Sequence, residues 1–150
     1  MRSIDSFRRL SPGERAFFVV AWGLVAPVSG LLRAGGLERA TRWIRRLPIG
    51  VVRGGADVDV ERADALVRRA FRWSGVRAAL GRPAPEGRGD CLPQALVQLA
   101  VHRLAGRDAV LFVGVRKDAS TDFEAHAWVE ERGGARRDLR HAVIHEVSAL

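Results

Sequence analysis

Three residues in the second half of the chain have the types and the order that acyl-group chemistry needs. Cys91, the one cysteine, opens an apolar helical pattern (CLPQALVQLAVHRLAG). His126 stands in the alternating segment Phe123-Glu124-Ala125-His126-Ala127-Trp128-Val129-Glu130, and Asp138 follows twelve residues later. A thiolate attacks a carbonyl carbon, an imidazole carries protons to and from the reacting atoms, and a carboxylate holds the imidazole in one tautomer. At a helix start, unpaired backbone N–H groups and the helix dipole favour negative charge, so a thiolate and a neighbouring oxyanion both meet donors there. A small cysteine in a core and a solvated strand histidine are the plain alternatives. The three residues together, rather than any one, carry the reading of nucleophile, base and orienter.

Strand alternation places Phe123, Ala125, Ala127 and Val129 on one face and Glu124, His126, Trp128 and Glu130 on the other. Glu124 and Glu130 are weaker orienters than Asp138. As neighbours in the same strand they stand about 7 or 13 Å from His126 along the chain, whereas Asp138, past a hairpin turn, falls on the neighbouring strand. His102 on the Cys91 helix, and His141 and His145 near the end, read as surface or partner contacts. These histidines and Cys91 have none of the dense ligand spacing of a metal site.

The elements that must position these residues follow from local signals. Ser11-Pro12-Gly13-Glu14 is a capping box with proline at the first helical position, which predicts a helix from there to about Val25. A second short helix should stop at Gly35-Gly36, and Leu37 to Leu47 should resume a helix that Pro48 ends. Residues 48–59 form a glycine-rich connector in which Asp57 or Asp59 can cap the next helix. There Ala63, Leu66, Val67, Ala70, Phe71 and Ser74 form an apolar stripe, with Trp73 and the arginines off it. Residues 81–90, with two prolines and three glycines, are a loop leading directly to Cys91. Three strands should follow, Ala109 to Lys117, Phe123 to Glu131, and one from about Ala135 through Asp138, as an antiparallel meander, with Val143 to Val147 as a short further edge strand. The expected fold class is α+β in a single domain of 150 residues, with residues 1–80 a helical N-terminal part and 89–150 the core that carries the chemistry.

Apolar residues make up 47% of the chain, ordinary for a globular protein with a real core. The net charge of +8 rests on arginine, since Lys117 is the only lysine among 25 basic residues. Without a zinc finger, a basic helix or aromatic-interleaved basic motifs, that charge reads as an arginine-coated surface suited to acidic partners, and nucleic acid is not expected. A lone cysteine cannot form an internal disulfide, which fits a reducing, cytoplasmic location. Ala16 to Leu32 is a run of seventeen uncharged residues, at the lower limit for a membrane span. Interrupted by Pro27 and glycines and lacking a convincing cleavage site, it reads as a buried or peripheral helix.

Cys91-Leu92-Pro93-Gln94-Ala95-Leu96, Val113-Gly114-Val115-Arg116-Lys117-Asp118 and Phe123 through Glu130, with Asp138 after a turn, resemble the transglutaminase-like cysteine proteases of lasso-peptide biosynthesis. The resemblance is strong over about residues 89–140. It implies a papain-like or transglutaminase-like core and a leader peptidase acting on a ribosomally made precursor peptide, with Cys91 as nucleophile, His126 as general base and acid, and Asp138 as orienter. It also implies two companions, an asparagine synthetase-like lasso cyclase and a separate leader-binding recognition-element protein, this chain resembling the stand-alone protease form. Gln94 stands where many relatives carry a basic residue. ATP dependence is associated with the family, yet GVVRGGAD lacks the Lys-Ser/Thr pair of a phosphate-binding loop, and no cofactor is expected. A transglutaminase-like acyltransferase using the same thioester chemistry and a non-catalytic peptide-binding scaffold are the alternatives.

Overall fold

A computed structural model describes residues 7, 9–52, 57–74, 91–117, 123–132 and 142–149, apart from the side chains of 116, 117, 123 and 124. Among the described residues, three helices precede three strands: α1 (Pro12–Ile44), α2 (Val60–Trp73), α3 (Cys91–Leu104), β1 (Ala109–Lys117), β2 (Phe123–Glu131) and β3 (Ala142–Ser148). The architecture is α+β, as the sequence predicts.

Helix α1 begins at the capping box. The Ser11 N–H donates to Glu14 Oε2 at 2.7 Å and the Glu14 N–H to Ser11 Oγ at 3.2 Å, so two otherwise orphaned donors are satisfied reciprocally. The helix does not end near Val25 as its sequence suggests. It continues through Pro27 to Ile44, bent at Gly36 (φ 68°, ψ −170°), a backbone conformation open essentially to glycine alone. Two features let Pro27 stand inside it. Phe17, Phe18, Ala21, Val25 and Val28 are all buried along one side, each large side chain contributing about 1.5–3 kcal/mol by leaving water. Pro27 itself is exposed, so the carbonyl it leaves without a donor lies where water can reach it.

Helix α2 starts where Asp59 Oδ1 accepts the Arg62 N–H at 2.7 Å, and the predicted stripe of Ala63, Leu66, Val67, Ala70 and Phe71 is buried. An ion pair between Glu14 and Arg62 joins the starts of α1 and α2. Helix α3 packs against α1, α2, β1 and β2. Leu96, Val97, Leu99, Ala100 and Val101 have no exposed surface, as expected of a helix that is apolar nearly all round. His102 belongs to this buried set and not to the surface. It is fully buried, its ring edge-on to Phe17 at 5.7 Å, because residue 102 falls on the side of α3 that α1 covers.

The described strands form one antiparallel sheet in the order β2-β1-β3. Among the described strands, β1 is therefore the central one. The segment read as a short edge strand is β3, paired to the far side of β1, and Ala149 extends the pairing by donating its N–H to Ala109 O at 2.7 Å. The strand expected at Ala135 to Asp138 lies outside the described residues. Val129, Leu111 and Val147 are register partners across the sheet, and all three are buried in the core shared with the helices. Arg107 links α2 to this sheet, donating to the Val58 carbonyl just before α2 and pairing with Glu131 at the end of β2.

Candidate active site

Cys91 is the first residue of α3, half-buried and packed against the core. Pro93 suits the first turn, where a backbone N–H has no partner within the helix in any case. Because the rest of α3 is held on all sides by buried side chains, its N-terminus has a fixed place relative to the sheet. Gln98, one and a half to two turns further on and only 4% exposed, donates from Nε2 to the Val60 carbonyl at 3.1 Å. That bond pins the start of α2 beside α3, and a buried amide left without it would cost about 1–3 kcal/mol.

Between α2, the first two turns of α3 and β2 lies a cavity of about 290 Å³. Cys91, Gln94, Ala95 and Gln98 line it from α3, and His126, Ala127, Trp128 and Val129 from β2. Four consecutive strand residues alternate between the two faces of a sheet. The cavity therefore follows the edge of β2, which is the outer strand of the described sheet. By this route His126, on the face opposite the helix-packed Ala127 and Val129, shares one cavity with Cys91. The third wall comes from α2 through Val60, Glu61, Asp64 and Arg68, the last two joined by an ion pair one helical turn apart at 2.8 Å.

The face of β2 that carries His126 is ordered by aromatic stacking. The rings of His126 and Trp128 lie 5.8 Å apart at 13°, and Trp128 stacks in turn on Phe112, its register partner on β1, at 5.7 Å and 24°. Trp128 Nε1 donates to Glu130 Oε1 at 2.7 Å. Glu130 is 5% exposed, and a buried carboxylate held by a donor is strongly localised. The chain Glu130, Trp128, His126 thus sets the plane of the imidazole.

The structure brings two of the three sequence-predicted site residues, Cys91 and His126, to one cavity. Asp138 lies outside the described residues. Among the described residues no group of His, Cys, Asp and Glu could hold a metal ion. Sequence reading passed over the α2 wall and the role of Trp128. The first has no local signal, since Glu61, Asp64 and Arg68 read as ordinary solvated helix positions. The second was within reach, because alternation already placed Trp128 between His126 and Glu130 on one face.

No curated protein and no solved structure matches the chain. Residues 31–138, however, match the transglutaminase-like superfamily, a group that includes cysteine peptidases and acyltransferases. That span begins within α1, takes in Cys91 and His126 and closes on Asp138. The match covers well over half of the chain, and with a helix-starting cysteine and a strand histidine on a shared cavity, this protein belongs to the transglutaminase-like superfamily.

Proposed function

We propose that this chain is a cysteine peptidase that removes the leader from a lasso-peptide precursor, with Cys91 as nucleophile, His126 as general base and then acid, and Asp138 as the orienting carboxylate. The observation that carries the peptidase reading is the cavity shared by Cys91, at the first turn of a core helix, and His126, on the sheet edge. The lasso-peptide assignment rests on the Cys-Leu start of α3 and the Ala-His-Ala-Trp-Val-Glu strand.

In the reaction, the Cys91 thiolate attacks the scissile carbonyl, and the backbone N–H groups at the start of α3 stabilise the oxyanion. The C–N bond then breaks as His126 delivers a proton to the departing amine, which becomes the N-terminus of the core peptide. Water, deprotonated by His126, hydrolyses the thioester and frees the leader. The new amine is the group on which a companion asparagine synthetase-like cyclase closes the macrolactam. The enzyme works in the cytoplasm, without cofactor or nucleic acid, and a separate leader-binding protein delivers the precursor.

The test is to incubate the chain with a lasso precursor and its leader-binding protein and to weigh the products. Two fragments whose masses sum to the precursor plus one water are expected. A leader fragment carrying an added primary amine instead of water would establish the acyltransferase reading, and an intact precursor the scaffold reading.

A further inference from the structure

Helix α1 has an outer face that the fold leaves uncovered. Arg15, Val19, Trp22, Ala26, Gly30 and Arg33 are exposed and recur every three or four residues, so they form one stripe about 27 Å long at 1.5 Å per residue. Val19 is 54% and Trp22 50% exposed, and a Cβ placed on Gly23 or Gly30 would meet nothing within 4 Å. From Val19 to Gly30 this face carries no charge and, apart from the Trp22 indole, no hydrogen-bonding side chain. Arginine closes it at both ends.

The helix is long and apolar enough to cross a membrane by length and composition, but its opposite side is committed to the core. Phe17, Ala21, Val25 and Val28 have no exposed surface, and a span would strip them from α3. The outer face can lie on an apolar phase without disturbing them. A second copy of this chain is a poor cover, because Arg15 and Arg33 would meet like charge and each copy carries +8. A protein partner would find almost no polar group to fix its register. A bilayer needs none. Tryptophan prefers the headgroup level, arginine reaches anionic headgroups while its stem stays in apolar surroundings, and a basic surface is drawn to anionic lipid.

We propose that the outer face of α1 docks the protein peripherally on an anionic lipid surface, with Val19 and Trp22 at the boundary between headgroups and acyl chains and Arg15 and Arg33 on lipid phosphates. None of these residues lines the Cys91 cavity, so docking and peptide cleavage are separable.

The experiment is sedimentation of the full chain with vesicles of phosphatidylcholine, with and without phosphatidylglycerol, across a salt series. Binding is expected only with phosphatidylglycerol and should weaken as salt rises. Arg15→Gln and Arg33→Gln should each lower partitioning roughly five-fold. Val19→Glu with Trp22→Glu should abolish it while circular dichroism and peptide cleavage stay unchanged. If that double variant fails to fold, Trp22→Ser alone should still lower binding at least several-fold. Three results would overturn the proposal: no binding to phosphatidylglycerol vesicles, equal binding to both vesicle types, or undiminished binding in the Trp22 variants. Self-association in ultracentrifugation that Trp22→Ser abolishes, without vesicle binding, would assign the face to a second copy instead.

Discussion

At the residue scale, two histidines of the same chain meet opposite environments. His126 lines a cavity and stacks on Trp128, whereas His102 is sealed between α1 and α3 with neither ring nitrogen hydrogen-bonded among the described residues. Burial pushes the His102 pKa down to about 3, with the Arg107 charge adding to the effect. A histidine that stays neutral when folded and protonates when unfolded means the unfolded state binds more protons between those two pKa values. Stability should therefore fall as pH drops below about 6.5, by up to about 1.4 kcal/mol per pH unit. His102→Leu should flatten that dependence in urea melts followed from neutral to mildly acidic pH, and an unchanged slope would place its source elsewhere. Trp128 calls for a different readout. Trp128→Phe keeps a ring but loses the bond to Glu130, so kcat should drop roughly ten- to a hundred-fold through misplacement of the imidazole, with KM little changed. Glu130→Gln, which still offers the indole an acceptor, should retain most activity.

Elements follow local signals until tertiary packing overrides them. The capping box at Ser11, the Asp59 cap, the stripe of α2 and the bounds of β1 and β2 were all legible in the sequence, because each depends on hydrogen bonds or periodicity within a few residues. The length of α1 was not. Its passage through Pro27 depends on the burial of Val25 and Val28 against other elements, which no local pattern reveals. The pairing of β3 with β1 was hidden for the same reason, since the partners lie 27 to 38 residues apart in the chain, from Val115 with Ala142 to Val110 with Ser148. Cys91 and His126 were legible because their neighbours are distinctive, but their common cavity depends on α2, whose contribution left no mark. Two element-scale outcomes follow. Glu14→Ala removes half of the capping box and the link to Arg62, and should cost about 1–2 kcal/mol in chemical denaturation. The Ser11 N–H and Arg62 also hold the Glu14 carboxyl below its ordinary pKa. Its share of stability is therefore present above the unfolded value near 4.5 and fades as pH falls through the folded one, a loss that Glu14→Ala should abolish.

On the scale of the whole molecule, a basic protein with a small cavity at one sheet edge would, as the proposed leader peptidase, have to find one peptide among many. The proposed leader-binding partner supplies that selection by tethering, which raises the effective substrate concentration to the order of mM without adding a catalytic group. Cleavage of full precursor should accordingly have a higher kcat/KM with the partner than without it, and the gain should vanish for a precursor lacking the distal half of its leader. The central claim remains that Cys91 and His126 act together on a peptide carbonyl. Its most direct test is the cleavage rate of precursor by the wild-type chain, Cys91→Ala and His126→Ala, each shown to be folded, followed by mass spectrometry. Loss of at least about 10⁴-fold in Cys91→Ala, with a nearly equal loss in His126→Ala, is the predicted result; cleavage by Cys91→Ala at the wild-type rate would contradict it.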